Sequence, residues 1–375
     1  MKKIRVGVLF GGRSTEHEIS LQSAKNVIGN LDRQKYDIVP IAINKQGKLY
    51  SGINQIPTDL RLPLEGLSDN LSQLDSKSTN SNHDLVPSNL ILSNEHLEFR
   101  VSDPIDVIFP VLHGSHGEDG TMQGFLKLVD IPFVGAGVLG SAIGMDKDIT
   151  KRLLQQAGIP CAKGITIHRA DSSQVNYQEI AAKLGAVLFV KPANLGSSVG
   201  INKVNNTAEF SAAVTEAFLY DNKILIEEFI PGREIECAVL GNDTPEASVL
   251  GEIVLNSGFY CYDSKYNDPN AASLKVPVDL PAQIAEKIRT IAVKTFRTLC
   301  CQGMARVDFL VQDNQGNFDI RVNEINTIPG FTKISMYPKL WEATGVSYSA
   351  LLDKLINLAI TSHNQTSQLK TTINN

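Results

Sequence analysis

Asp308, Glu324 and Asn326 bring three hard oxygen donors onto two short stretches, MARVDF at 304–309 and IRVNEINTIPG at 320–330. Alternating Ala305, Val307 and Phe309, then Phe318, Ile320 and Val322, predict two strands, with DNQGN at 313–317 as the turn between them. Arg306 and Asp308 then share a face, and Glu324 and Asn326 end the second strand. Such donors suit Mg²⁺ when it also holds phosphate. A solvated hairpin with polar outer positions is the plain alternative.

Five other stretches could do chemistry. Lys191-Pro192 closes a short apolar strand and leads into ANLGSSVGI at 193–201. Glycine lets backbone approach closely there, and Ser197, Ser198 and free amides can wrap phosphate oxygens beside the Lys191 charge. No Walker A order is present, and a flexible hairpin would read the same. Lys147 opens a helix as either a solvated lysine or a phosphate ligand. Glu227-Glu228 end an apolar strand, as ribose or adenine acceptors or as exposed edge charges. The loop HGSHGEDGT at 113–121 follows an apolar strand, where open α/β sheets place ligands. Its two histidines lack a third partner at metal spacing, so loop structure and substrate contact are favoured over metal. Glu16, after Gly11-Gly12, is a helix cap or a functional acid at the top of the sheet.

Recognisable elements must position these groups. A buried strand at 4–10, a helix at 19–31 and a strand at 38–44 form a βαβ unit. Residues 51–98 read as loops and short hairpins, and 106–112 as a strand before a helix at 122–129. Residues 132–144 are apolar and glycine-rich, a domain boundary falls at 137–146, and a helix runs from 145 to 157. Strands follow at 187–190, 223–230, 235–240 and 248–254, then an aromatic and charged closing loop at 259–267 and a helix at 281–299. The polar end, 361–375, reads as a frayed tail.

At 375 residues the chain needs more than one core. A net charge of −5 gives no reason to expect nucleic acid or an anionic membrane as partner. Five cysteines without a C-x-x-C motif make no disulfide framework and fit a reducing cytoplasm. The apolar run at 4–10 is broken by Arg5 and is too short for a signal peptide or a membrane span. The combined features imply nucleotide phosphates held by Mg²⁺ between two domains, with a second substrate on the N-terminal one. That is ATP-driven activation of a small molecule rather than passive binding.

The motifs FGGRSTEHEISLQS (10–23), LHGSHGEDGTMQG (112–124), MDKDITK (145–151), VKPANLGSSVGI (190–201), EEFIPGREIECAVLG (227–241), FYCYDSKY (259–266) and MARVDF…VNEINTIPGFT (304–332) occur in one order. With them the chain resembles the D-alanine–D-alanine ligase family of the ATP-grasp superfamily. The resemblance implies a three-domain α/β fold: a doubly wound N-terminal substrate domain (1–140), then central (141–231) and C-terminal (232–362) α+β domains clamping ATP, with a flexible tail at 363–375. It implies a cytoplasmic homodimer that makes a peptidoglycan precursor from two D-alanines, ATP and two Mg²⁺ ions, for which Mn²⁺ can substitute. Lys147, Lys191, Ser197 and Ser198 are expected on the phosphates, and Glu227 and Glu234 on adenine and ribose. Asp308, Glu324 and Asn326 are expected on the metals. Glu16 and His113 would meet the first D-alanine, while Lys265, Ser335 and the Met336 amide take the second. Arg306 and the Gly330 amide would form an oxyanion site, and Tyr266, Ser197 and Glu16 a triad that locks the closing loop. Leu195 stands where some relatives are acidic, and Cys261 where an acid is expected. Tyr266 favours an amine over the hydroxyl of D-lactate as nucleophile.

Overall fold

The computed structural model describes residues 2–51, 56–62, 91–92, 97–98, 104–255 and 272–370. Strand β1 (Ile4–Gly11) turns Val6, Val8 and Phe10 to one face, where helix α1 (His17–Asn30) packs Ala24, Val27 and Ile28 against them. Strand β2 (Tyr36–Ile43) lies parallel to β1, and β3 (Leu49–Ser51) antiparallel outside β2. The two-residue strands β4 (Ile91–Leu92) and β5 (Leu97–Glu98) pair with each other. Strand β6 (Val107–Pro110) runs parallel on the other side of β1. Helix α2 (Thr121–Leu128) covers the opposite face, with Leu126 against Leu9, Ile41 and Ile108. Burial on both faces is why these strands read as unbroken apolar runs. The loops after β1 and β6 therefore emerge side by side at the carboxyl edge of one parallel sheet.

Helices α3 (Val138–Met145) and α4 (Lys147–Gln156) lead to a second sheet. Its elements are β7 (Gly164–His168), α5 (Tyr177–Leu184), β8 (Leu188–Pro192), β9 (Asn202–Val204), α6 (Thr207–Tyr220) and β10 (Lys223–Glu228). The strands are antiparallel in the order β7-β10-β8-β9, and α5 and α6 bury Ile180, Phe210 and Phe218 against them.

The third sheet contains β11 (Arg233–Gly241), β12 (Glu246–Leu255) and β13 (Ala272–Lys275), followed by helix α7 (Ala282–Thr298). The predicted hairpin is β14 (Gly303–Asn314) and β15 (Asn317–Asn326), and α8 (Met336–Ala343) and α9 (Tyr348–Ser367) end the chain. Strand order is β13-β12-β11-β14-β15, all antiparallel. Helix α7 buries Ile288, Ala292 and Phe296 on one face. Helices α8 and α9 cover the other with Tyr337, Leu340, Trp341 and Leu355, in a core that continues into α1 and β1. One apolar cluster thus ties the N-terminal sheet to the third sheet.

The structure corrects one expectation: the end read as frayed from Thr361 is helical through Ser367. The glycine-rich stretch at 132–144, to which the sequence assigned no element, holds most of α3. Among the described residues, no helix is long and apolar enough to cross a membrane.

Candidate active site

A cleft of about 760 Å³ opens between the second and third sheets and the end of β15. Lys191, Ser197, Ser198, Glu227, Glu234, Arg306, Asp308, Glu324, Gly330, Ser335 and Met336 all line it. Glu16, Lys147 and Asn326 bond to the lining residues Ser197, Leu195 and Asp308, and His113 bonds to Ser23 and the Ile328 carbonyl. Lys265, Tyr266, Cys261 and the closing loop at 259–267 lie outside the described residues.

The hairpin supplies the acidic wall. A register shift between Asp308 and Phe309 sets Asp308 opposite Glu324, while Arg306 faces Asn326. On the other side Asp308 faces Glu236 of β11, so three carboxylates lie in a row across adjacent strands. Arg306 donates from Nε and Nη2 to the two Asp308 oxygens, both at 2.7 Å, and its Nε is 3.0 Å from Glu236 Oε2. Burial alone would lower the Arg306 pKa; Asp308, then Glu236, reverse this and hold it well above its usual value. Asn326 Nδ2 donates to Asp308 at 2.9 Å. Among the described residues no three His, Cys, Asp or Glu side chains form a ready metal cage. The all-oxygen, anionic donor set still fits Mg²⁺ where phosphate oxygens complete the shell.

The small-residue loop at 193–201 joins β8 to β9. Ser197 and Ser198 both adopt left-handed backbone, with φ of 51° and 58°. Two such residues in succession are costly outside glycine and mark a held conformation. Asp221 anchors the base of the loop, accepting from the Asn194 backbone N–H at 2.8 Å and from its side-chain amide at 2.9 Å. At the tip, the Ser197 hydroxyl donates to Glu16 Oε1, from 181 residues away in sequence. Glu16 occupies the cap position of α1 but makes no side-chain capping bond, which removes the capping reading. Space around its carboxylate is tight: a Cβ at Gly196 would sit 2.9 Å from Glu16 Oε2, and one at Gly114 2.5 Å from it.

Lysines converge behind the loop. Lys147 Nζ donates to the Leu195 carbonyl at 2.5 Å, so it is not a solvated helix-end lysine. Burial pushes its pKa down, partly opposed by Glu324. Lys191 Nζ donates to Glu227 Oε2 at 2.6 Å. Glu227 is buried, so it is not an exposed edge charge, and both its oxygens already face lysines. Burial would raise its pKa, but Lys151 and then Lys191 pull it down to about 2. Its neighbour Glu228 pairs with Arg321 at 2.7 Å.

His113 is buried beside Glu16 with both ring nitrogens engaged. Nδ1 lies 2.9 Å from the Ile328 carbonyl and Nε2 3.1 Å from the Ser23 hydroxyl. Burial lowers its pKa, leaving the ring neutral, with Nδ1 as donor and Nε2 as acceptor. His116 belongs to loop structure, its backbone N–H donating to Asp119 at 2.8 Å. Ser335 Oγ accepts from the Thr332 N–H at 2.9 Å and would lie 2.7 Å from a Cβ at Gly330. Gly330 thus packs closely under Ser335 at the cleft wall, while the Met336 amide opens α8 and suits a carboxylate.

Family models described as D-ala D-ala ligase N-terminus and D-ala D-ala ligase C-terminus match residues 5–136 and 153–357. The D-alanine–D-alanine ligase of Shouchella clausii is 49 % identical over 378 residues, covering 100 % of this chain and 99 % of that protein. The chain belongs to the D-alanine–D-alanine ligase family. Its fold is that of the solved ligases. The Coxiella burnetii D-alanine–D-alanine ligase superposes with a TM-score of 0.77 at 39 % identity, covering 98 % of each chain. A D-Ala:D-Ser ligase from Enterococcus faecalis gives 0.78 at 38 % identity, covering 96 % of this chain and 100 % of that one. A Bacillus anthracis D-alanine–D-alanine ligase complexed with ATP gives 0.71 at 29 %, covering 98 % and 100 %.

Three residues of this family member's site escaped sequence reasoning. Glu236 shares the cleft face of β11 with Glu234, as period-two spacing would have indicated. Glu118 accepts from the Gly114 and Ile328 N–H groups, each at 2.8 Å, and ties the 113–121 loop to the segment before Gly330. Burial, then the Glu16 charge, push its pKa up to about 8. Lys151 carried no signal beyond lying one helical turn after Lys147.

Proposed function

We propose that the protein joins two D-alanines into D-alanyl-D-alanine, converting ATP to ADP and phosphate, as a step in peptidoglycan precursor synthesis. The observation that carries this reading is the Ser197–Glu16 hydrogen bond, which lays the phosphate loop against the acid of the N-terminal sheet. Nucleotide phosphates and a small amino acid would meet there. The work divides among units at 1–140, 141–231 and 232–362, in a cytoplasmic homodimer.

In the first step a carboxylate oxygen of the first D-alanine attacks the γ-phosphorus, and the bond to the β-phosphate oxygen breaks. Lys147, Lys191 and the loop amides hold the phosphates, which is mostly electrostatic work. Glu234 takes the ribose hydroxyls, and Glu227 lies toward the adenine. Asp308, Glu324 and Asn326 would hold two Mg²⁺ ions, which screen phosphate charge when bound. Glu16 binds the ammonium of the first D-alanine, with neutral His113 packed beside it. In the second step the neutral amine of the second D-alanine attacks the acyl carbon. Arg306 and the Gly330 amide face the resulting oxyanion. The tetrahedral species collapses to the peptide and expels phosphate, which carries off the proton that the amine nitrogen loses. Ser335 and the Met336 amide seat the second carboxylate, with Lys265. An acyl phosphate must be kept from water, the work of Gly196–Gly200 and the 259–267 loop, with Tyr266 joining Ser197 and Glu16.

Phosphate release from ATP and Mg²⁺, combined with product mass, tests the reading. D-alanine should support release and give the dipeptide, and L-alanine should not. Release only when D-serine or D-lactate is added would move the second substrate elsewhere, and no release with any of them would refute the ligase reading.

A further inference from the structure

Lys151 has no part in the chemistry above, yet its side chain is only 6 % exposed. Its Nζ lies 2.9 Å from Glu227 Oε1 and 3.5 Å from the Ala162 carbonyl. Glu227, 3 % exposed, receives Lys191 on its other oxygen at 2.6 Å. The three charges form a buried row from α4 through β10 to β8. Glu227 and Lys191 line the cleft, and Lys151 does not.

We propose that Lys151 is a positioning residue for nucleotide binding, holding the Glu227 charge so that Lys191 can turn from that carboxylate to a phosphate. The inference rests on the ATP-dependent reading of the site. Lys191 is engaged by Glu227 at 2.6 Å, so phosphate must compete for it. With no second cation, the exchange would strand an ionised carboxylate in the protein interior, a costly state. Lys151 removes that penalty from behind. It cannot replace Lys191 at the phosphates, because Glu227 stands between it and the cleft. The row therefore works as an exchange: one lysine stays and the other is released to the substrate.

The test compares full-length wild type with Lys151→Met, Glu227→Gln and the double variant, measuring KM for ATP, KM for D-alanine and kcat. Lys151→Met should raise the ATP KM about tenfold or more and move the D-alanine KM less than about twofold. In the Glu227→Gln background, where no charge is left to hold, adding Lys151→Met should change the ATP KM by less than about threefold. An unchanged ATP KM in Lys151→Met overturns the proposal, and so does an equal loss in both backgrounds, which would mean that Lys151 acts without Glu227. If Lys151→Met alone does not fold, judged by its melting curve, the Glu227→Gln pair decides by the same criterion. A wild type that releases no phosphate overturns the ligase reading instead.

Discussion

Arg306 is held by charge on two sides, gripping both oxygens of Asp308 while Glu236 lies 3.0 Å from its Nε. A planar fork suits this arrangement, and a lysine ammonium cannot reproduce it. Arg306→Lys should therefore keep the charge but lower kcat by about a hundredfold, the usual cost of losing one oxyanion donor, with little change in the KM for ATP. Steady-state kinetics check this, and a kcat within about threefold of wild type would remove Arg306 from the oxyanion site. Legibility at this scale divides by burial. Asp308 was readable because the hairpin turn and the alternation of Ala305, Val307 and Phe309 turn it outward, whereas Glu324 and Asn326 join its face only through the register shift, since alternation from Ile320 and Val322 would turn them inward. Glu16 and Glu227 were ambiguous in sequence, since a helix-end or strand-end acid looks the same whether it caps, solvates or binds. Lys151 was invisible because a lysine four residues after Lys147 on a polar helix ordinarily points to water; only the fold of β10 over α4 puts Glu227 against it.

At the level of elements, the loop between β8 and β9 touches Glu16, at the cap of α1, through the Ser197 hydroxyl. Gly196→Ala would place a methyl 2.9 Å from Glu16 Oε2, so loop and carboxylate must separate. Activity should fall by about tenfold or more while the melting temperature stays close to wild type, because the change lies at a cleft wall and not in a core. An equal loss of both would show the loop to be structural. Hydrogen exchange provides a second check. The amides of 196–200 should gain protection with ATP and D-alanine together, more than with either alone, and unchanged exchange would contradict closure. Most strands were legible from their apolar runs. Helix α3 was not, because Gly140 and Gly144 weaken its pattern. The structure explains both glycines: a Cβ at Gly140 would lie 2.6 Å from the Cys300 carbonyl, and one at Gly144 2.9 Å from Thr327 Cγ2. Close packing required the small residues. The end of α9 was missed for another reason. Its last turns are polar, and the helix that propagates them is anchored by Leu351, Leu352, Leu355 and Ile356 further back.

Across the whole molecule, polar bonds stitch the N-terminal sheet to the segment carrying Gly330. The Phe331 N–H donates to Ser23 Oγ at 3.2 Å, and the Phe331 carbonyl accepts from Asn26 Nδ2 at 3.2 Å and from Tyr348 Oη at 2.7 Å. The site is thus assembled by the fold's long-range contacts, and global stability and site charge are linked. The Glu227 pKa is depressed from 4.5 to about 2 in the folded state. The stability it contributes is fully present above pH 4.5 and is lost as pH falls toward 2. Denaturant unfolding at stepped pH should show this loss, and Glu227→Gln should decline less steeply with acid. Parallel acid profiles for the two proteins would show that the lysine pair does not depress Glu227.

The most direct measurement of the central claim follows the carboxylate oxygens of the first D-alanine. With both of them isotopically labelled, the phosphate released during dipeptide synthesis should carry one heavy oxygen, and the peptide carbonyl should keep the other. Unlabelled phosphate would contradict the acyl-phosphate account of this cleft.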